Sequence, residues 1–156
     1  MDNRYIAYPF LGEKKWICDY EILTDGLSSE LGFAYSFFHG KKIKKTIQEL
    51  SRISLDLNPL VRIPDSSILE SLKEQLNLIY DQYNSSFSTF FIPIGNKKST
   101  SMSCTRKTIK QIIRLLYKNE SNKELIDVFN LFCNVSHLIY LKYTNKKIIF
   151  KSKSYK

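Results

Sequence analysis

Apolar residues recur every three or four positions along most of this chain, which is the spacing of one face of an α-helix. Five such stretches are separated by short links that are polar or contain proline. The pattern predicts amphipathic helices at about 24–38, 42–57, 65–83, 101–118 and 123–143. Thr24 or Asp25 would cap the first of these helices, and Asp65 to Ser67 would cap the third. Because five helices with short links are typical of a helical bundle, the predicted fold is all-α, a five-helix up-and-down bundle.

The two ends of the chain fall outside this pattern. Residues 1–22 are predicted to form an irregular N-terminal segment. Residues 146–156 form a basic tail with five lysines and no acidic residue. The 156 residues suit a single domain with a sizeable core. We therefore expect one domain, 1–156, with its helical bundle at 23–145.

The composition is that of an ordinary globular protein, with 43% hydrophobic and 25% charged residues. The three cysteines are odd in number and lack the spacing of zinc ligands, so neither a disulfide framework nor a metal site is predicted. Reduced thiols fit an intracellular, reducing compartment, either the cytoplasm or the mitochondrial matrix. No stretch is long and apolar enough to span a membrane. The sequence also opens without the basic and apolar run of a signal peptide.

The net charge of +9 is unevenly distributed, since over half of the excess lies in the tail 146–156. A solvated, frayed terminus would explain this tail. Binding to nucleic acid or to an anionic surface would explain it as well. The lysines are not accompanied by the signature of a nucleic-acid-binding fold. A basic nucleic-acid-binding protein therefore stays an alternative that rests on charge alone.

The most informative stretch is 90–114, FFIPIGNKKSTSMSCTRKTIKQIIR. Its apolar start is broken by Pro93 and Gly95, residues that favour a turn. The hydroxyl side chains at 99–101 can cap the free amides of a helix that follows. The stretch is therefore predicted to be a loop that leads into a helix.

That fourth helix carries Arg106, Lys110 and Arg114 at intervals of four residues. This spacing places the three cations on one face of the helix. Free amides next to a cationic helix face predict an anion-binding site. The alternative is a solvated basic face with no ligand.

Two segments match the motifs of one known family in order and spacing. Residues 24–34, TDGLSSELGFA, are similar to its Thr-Asp-Glu-Leu-Ser-Ser-x-x-Gly-x-Ala element. Residues 90–114 are similar to its Phe-x-x-Pro-x-Gly-Gly loop and following Arg-rich helix. Over most of residues 12–143 the chain thus resembles the trimeric five-helix corrinoid adenosyltransferases, which transfer the adenosyl group of ATP to cob(I)alamin. The resemblance implies a homotrimer with ATP and cobalamin as ligands.

The resemblance also implies catalytic roles for Asp25, Arg106 and Arg114. Asp25 of the first helix stands where the family has an aspartate that pairs with an arginine of the fourth helix, here Arg106. Arg114 matches the last arginine of the family's arginine-rich run. Phe90 stands where a family aromatic packs against the corrin and excludes water. We therefore expect a partly buried Asp25–Arg106 ion pair and a corrin contact at Phe90.

Other residues would bind the ligands, with departures from the family pattern. Lys97 and Lys110 would attract phosphates, although Lys110 replaces an arginine and so loses the planar fork. Asn130 and Asn134 fall on the family's Asn-Arg-x-x-Asp without its charged members. The family's phosphate-binding loop has no counterpart in residues 1–11.

Two hypotheses follow, because some of the family's functional residues are matched in this sequence and others are replaced. In the first, the protein is a divergent adenosyltransferase that binds ATP weakly and transfers the adenosyl group slowly or not at all. In the second, it is a family-derived binding or structural subunit of a larger assembly and does not catalyse. Whether the protein is an enzyme stays open at this point.

Overall fold

The structure is a computed structural model that describes residues 4, 7, 10–85 and 90–154. Most of these residues lie in five α-helices. They are α1 (Trp16–Phe37), α2 (Lys41–Leu57), α3 (Ser66–Tyr83), α4 (Lys97–Lys118) and α5 (Lys123–Tyr143), and a short 3-10 helix, Asn58–Val61, follows α2. The predicted all-α class is therefore confirmed.

The first helix begins earlier than predicted, because residues 16–22 belong to α1 and are not irregular. The buried stripe of α1 runs through Tyr20, Thr24, Leu27, Leu31 and Ala34, at alternating intervals of four and three. Thr24 interrupts the apolar pattern in the sequence, yet it is fully buried and its hydroxyl donates to the Tyr20 carbonyl 3.0 Å away. A core threonine was therefore interpreted as a helix cap. The rest of the predicted irregular segment contains positions outside the described residues.

The fourth helix also begins early, at Lys97, because Asn96 caps it. The Asn96 Oδ1 accepts a hydrogen bond from the Ser99 amide at 2.9 Å. The Asn96 amide group donates to the Tyr143 carbonyl at 2.9 Å and so ties the start of α4 to the end of α5. The prediction that the hydroxyls of 99–101 supply the cap is wrong, since Ser99 and Ser101 donate to backbone carbonyls of their own turn.

The helices pack in the order α2, α1, α4, α5, α3 across the bundle, with a weaker contact between α2 and α3. The ring of Tyr20 on α1 meets the edge of Phe129 on α5, with centroids 5.9 Å apart. The Tyr20 hydroxyl donates to the Leu57 carbonyl at 2.7 Å, which anchors the end of α2 to the same core. One continuous apolar core thus holds the helices together. None of the helices that the structure describes is long and apolar enough to cross a membrane.

Arg62 fixes the segment before α1 to the bundle. Its Nη2 donates to Glu21 at 2.8 Å and to Glu13 at 3.1 Å, and its guanidinium lies over the ring of Phe10. Glu21 is only 5% exposed, so this buried carboxylate depends on Arg62 for its charge partner. The hydrogen bonds that Arg62 donates to the two glutamates raise its pKa above the usual value.

Part of the basic tail pairs with the loop before α4. Phe91 and Ile149 form an antiparallel bridge, in which the Ile92 amide donates to the Ile148 carbonyl and the Phe150 amide donates to the Phe90 carbonyl, both at 2.8 Å. Residues 90–92 and 148–150 are called the bridged segments below. The described part of the tail is therefore attached to the bundle rather than frayed.

Candidate functional site: a cationic cleft on helix α4

A cleft of about 660 Å³ lies between α1, α4 and α5, and the first bridged segment borders it. Helix α4 supplies most of its surface. The lining residues are Asp19 and Leu23 of α1, Phe91 and Pro93 of the loop, Ser103, Arg106, Lys107, Lys110, Gln111, Arg114, Leu115 and Lys118 of α4, and His137 and Tyr140 of α5. This surface is called the α4 cleft.

The lining of the α4 cleft contains five cationic side chains and a single carboxylate, that of Asp19. Four of the cations, Arg106, Lys110, Arg114 and Lys118, follow one another at intervals of four residues along α4. Like charges at this spacing destabilise a helix by about 0.2–0.5 kcal/mol per pair. An anion bound in the cleft would relieve this repulsion.

Arg106 is the most enclosed of these cations. Its Nε is buried and has no hydrogen-bond partner within the described residues. Buried donors are nearly always paired in native proteins, so an orphaned guanidinium nitrogen calls for an explanation. Cys133 of α5 lies beside Arg106; burial raises the pKa of this thiol, and the charge of Arg106 and a hydrogen bond with its side chain oppose the rise. A ligand oxygen in the cleft would satisfy the orphaned donor.

His137 of α5 forms the wall opposite these cations. Its ring stacks on Tyr140, with centroids 5.8 Å apart and planes 12° from parallel. Burial, followed by the charges of Arg106 and Lys110, lowers the pKa of His137 to about 4. The imidazole is therefore neutral near pH 7 and contributes polarity without adding a sixth positive charge.

The structure brings Arg106, Lys110 and Arg114 together as predicted, but Asp25 does not join them. Asp25 lies in a separate cavity with Leu55 and Asn58, whereas Arg106 lines the α4 cleft. The predicted Asp25–Arg106 ion pair, between two residues that the structure describes, is therefore wrong.

Helix geometry explains this error. Asp19 and Leu23 of α1, four residues apart, both line the α4 cleft. Asp25 lies two residues beyond Leu23 and is therefore turned about 200° around the helix axis. The carboxylate of α1 that does bond α4 is Glu30, whose Oε1 accepts from the Thr108 hydroxyl at 2.8 Å.

The asparagines predicted on α5 are not part of the cleft lining. Asn134 is exposed, and neither Asn130 nor Asn134 lines the α4 cleft. The face of α5 that does so carries His137 and Tyr140. Asp127 of the same helix pairs with Lys123 at 2.6 Å on the surface. The polar residues of α5 are therefore divided between solvent and the cleft.

Phe90 and Lys97 also lie outside the lining. Phe90 is 76% exposed, and the neighbouring Phe91 lines the cleft in its place. The Lys97 Nζ lies 5.8 Å above the ring of Phe37. At the end of the loop, the Asn96 Oδ1 already accepts from the Ser99 amide. The predicted anion site is supported by the cationic helix face, which lines the cleft.

Asp19, Lys107, Lys118 and Gln111 were missed at the sequence level. The signal for Lys107, Gln111 and Lys118 was present, because these residues follow the same helical spacing as the predicted cations. Asp19 was missed because its helix was predicted to begin later. Among the described residues, no three His, Cys, Asp or Glu side chains cluster closely enough to hold a metal ion.

No protein-family model matches the sequence, and no curated protein matches it. The function has to be argued from the charges and shape of the α4 cleft, together with the motifs of the sequence.

Proposed function

We propose that the α4 cleft binds a phosphate-bearing nucleotide, and that the protein is a divergent, corrinoid adenosyltransferase-like protein. The observation that carries this proposal is the orphaned Nε of Arg106 within a row of cations faced by a single carboxylate. Phosphate oxygens are the acceptors that guanidinium groups bind most favourably. ATP and cob(I)alamin are the proposed substrates.

The cleft is suited to a nucleotide in size and in character. Its volume of about 660 Å³ is within the range of small-molecule sites. Leu23, Phe91, Leu115 and Tyr140 provide an apolar side on which a base and a ribose can pack. The cations of α4 line the same cleft, so a nucleotide has both apolar and cationic surfaces to contact.

In adenosyl transfer, the cobalt nucleophile attacks the ribose C5′ of ATP and triphosphate leaves. Arg106, Lys110 and Arg114 would stabilise the negative charge of the leaving triphosphate. Phe90 directly precedes the cleft-lining Phe91 in the chain. Its side chain is exposed and accessible to the apolar face of a corrin. The aspartate and asparagines of the family pattern lie elsewhere, so the nucleotide would be held by charge with little fixed geometry. We therefore propose that transfer is slow or absent.

A test of this function is to titrate the protein with ATP by calorimetry and to follow cob(II)alamin and ATP together by absorbance. We expect weak ATP binding that falls about tenfold or more between low and physiological salt, since exposed cations are screened. Corrinoid binding without turnover would favour the non-catalytic binding subunit over the enzyme. Tight, salt-resistant ATP binding with formation of adenosylcobalamin would show that the proposed loss of activity is wrong.

We further propose that the helices form an up-and-down bundle and that the protein is a homotrimer, as the resemblance implies. Light scattering at micromolar concentration is expected to give a mass near three times the 18.3 kDa of the chain. Exposed apolar residues on several helices, including Phe33, Leu55 and Tyr117, are compatible with contacts between copies. A stable monomer would remove the trimer and any site formed between subunits.

A further inference from the structure

The bridged segments 90–92 and 148–150 present an apolar face to solvent. In an antiparallel pair, directly opposed residues point to the same side and neighbours along each segment alternate. The hydrogen bonds on either side of the Phe91–Ile149 bridge place Phe90 opposite Phe150 and Ile92 opposite Ile148. These four side chains therefore share one face, which is called the outer face below.

All four side chains of the outer face are exposed. Phe90 is 76% and Phe150 is 55% accessible, while Ile92 and Ile148 are each 37% accessible. Phe91, on the opposite face, packs against the core and lines the α4 cleft. The bridged segments thus expose two apolar cross-strand pairs on a face where the usual alternation of apolar and polar residues would allow polar side chains. A contiguous exposed apolar patch of this kind marks an interaction surface.

The charge around the outer face is strongly positive. Lys146 and Lys147 precede the second bridged segment, and Lys151 and Lys153 follow it, all four exposed. The sequence has no aspartate or glutamate from Gln82 to Asn119 or from Val128 to its end. The partner that matches this surface is therefore both apolar and anionic.

We propose that the outer face docks on the surface of an anionic lipid bilayer. Phe90, Ile92, Ile148 and Phe150 would enter the interfacial region, while the four lysines contact lipid phosphates and carboxylates. Such docking needs no membrane-spanning helix. Phe90 is shared with the proposed corrin contact, whereas Ile148 and Phe150 have no part in the proposed function, so variants of these two residues test docking independently of nucleotide binding.

Two other partners fit the outer face less well. A second copy of the chain would bring its own four lysines against these, and like charges oppose that contact. A nucleic acid would match the charge, but it binds apolar side chains mainly by stacking bases on aromatic rings. Ile92 and Ile148 have no ring, so half of the face would remain unused.

The test is co-sedimentation of the full chain with phosphatidylcholine vesicles, with and without phosphatidylserine. We expect binding only to the vesicles that contain phosphatidylserine. The double substitution I148S/F150S is expected to weaken this binding about tenfold or more, because two apolar side chains are no longer transferred from water into the bilayer interface. Leu78→Ser, which alters a residue of α3 that is 72% exposed, serves as the matched control and should leave binding unchanged.

A charge-matched pair of variants tests the lysines. K146Q/K147Q is expected to weaken binding by about fivefold per lysine, whereas K41Q/K42Q on α2 removes the same charge elsewhere and should have little effect. Circular dichroism melts establish that each variant folds, and Phe150→Ser alone replaces the double variant if the latter unfolds.

The proposal is overturned by any of three results. In the first, I148S/F150S sediments with anionic vesicles as the unaltered chain does. In the second, the same substitution changes the mass in solution, which would make the outer face a contact between copies. In the third, the chain binds a single-stranded oligonucleotide more tightly than the vesicles, and this binding persists in I148S/F150S.

Discussion

Replacing Phe129 with alanine is expected to lower the free energy of unfolding by about 3–5 kcal/mol. Phe129 is fully buried, and its ring packs nearly perpendicular to the Tyr20 ring, with centroids 5.9 Å apart. Tyr20 cannot readily move into the resulting cavity, because its hydroxyl is held by the Leu57 carbonyl at 2.7 Å. Most of the cavity would therefore remain, and cavities that do not collapse are the costly ones.

Denaturant unfolding followed by circular dichroism measures this loss. Leu78→Ala is the matched control, since Leu78 is also a large apolar residue in a helix but lies mostly in solvent, so a loss within about 0.5 kcal/mol is expected. If Phe129→Ala cost no more than Leu78→Ala, the described packing of α5 against α1 would be wrong. The α4 cleft, which those two helices line, would then lose its structural basis.

Helix periodicity predicted the fold well where apolar residues alone form the buried stripe. Helix α5 spans the predicted Lys123–Tyr143, and α2 begins one residue earlier than predicted. Helix α3 starts after Asp65, whose side chain accepts from the Ser67 and Ile68 amides as its capping pattern indicated. In these helices, local sequence and tertiary packing favour the same limits.

The starts of α1 and α4 were predicted incorrectly for a common physical reason. The same type of polar side chain can cap a helix or lie within one. Thr24 was interpreted as a cap because hydroxyls favour helix starts, yet within α1 it satisfies its hydroxyl against the Tyr20 carbonyl and can be buried. Asn96, rather than the hydroxyls after it, caps α4 because it also reaches the Tyr143 carbonyl. That second bond depends on the position of α5, which no local pattern contains.

The candidate site was predictable only where it lies on a single helix. The spacing of Arg106, Lys110 and Arg114 placed them together, as the structure does. Which residues face them depends on the rotation of α1 and α5 about their axes, and rotation is set by packing of the whole core. Asp19 and His137, rather than Asp25 and Asn134, are therefore the facing residues.

The burial of individual atoms could not be predicted from the sequence for the same reason. The orphaned Nε of Arg106 and the lowered pKa of His137 both arise where α4 packs against α5. Neither feature has a counterpart in the sequence pattern. They are also the features that distinguish the α4 cleft from a solvated basic helix face, which the sequence left open as the alternative.

Arg106→Ala is expected to weaken ATP binding by about 10- to 150-fold, which corresponds to the 1.5–3 kcal/mol of one charge-assisted hydrogen bond. The loss should exceed that of Lys110→Ala, because Lys110 is exposed and only adds to the field, whereas Arg106 offers a buried donor without a partner. Arg106→Lys should recover little, since lysine restores the charge but not the Nε. Calorimetry at fixed salt measures all three variants.

Arg52→Ala provides the control, because Arg52 is an exposed arginine of α2 that pairs with Asp56 far from the cleft lining. It removes the same charge and should leave ATP affinity unchanged within about twofold, since exposed charges are largely screened over distance. Stability separates the ligand role from a structural one. With no Asp25 partner, Arg106→Ala should change the free energy of unfolding by less than about 1 kcal/mol. Equal losses of ATP affinity in Arg106→Ala and Arg52→Ala would mean that only net charge attracts the nucleotide, and the α4 cleft would not be its site.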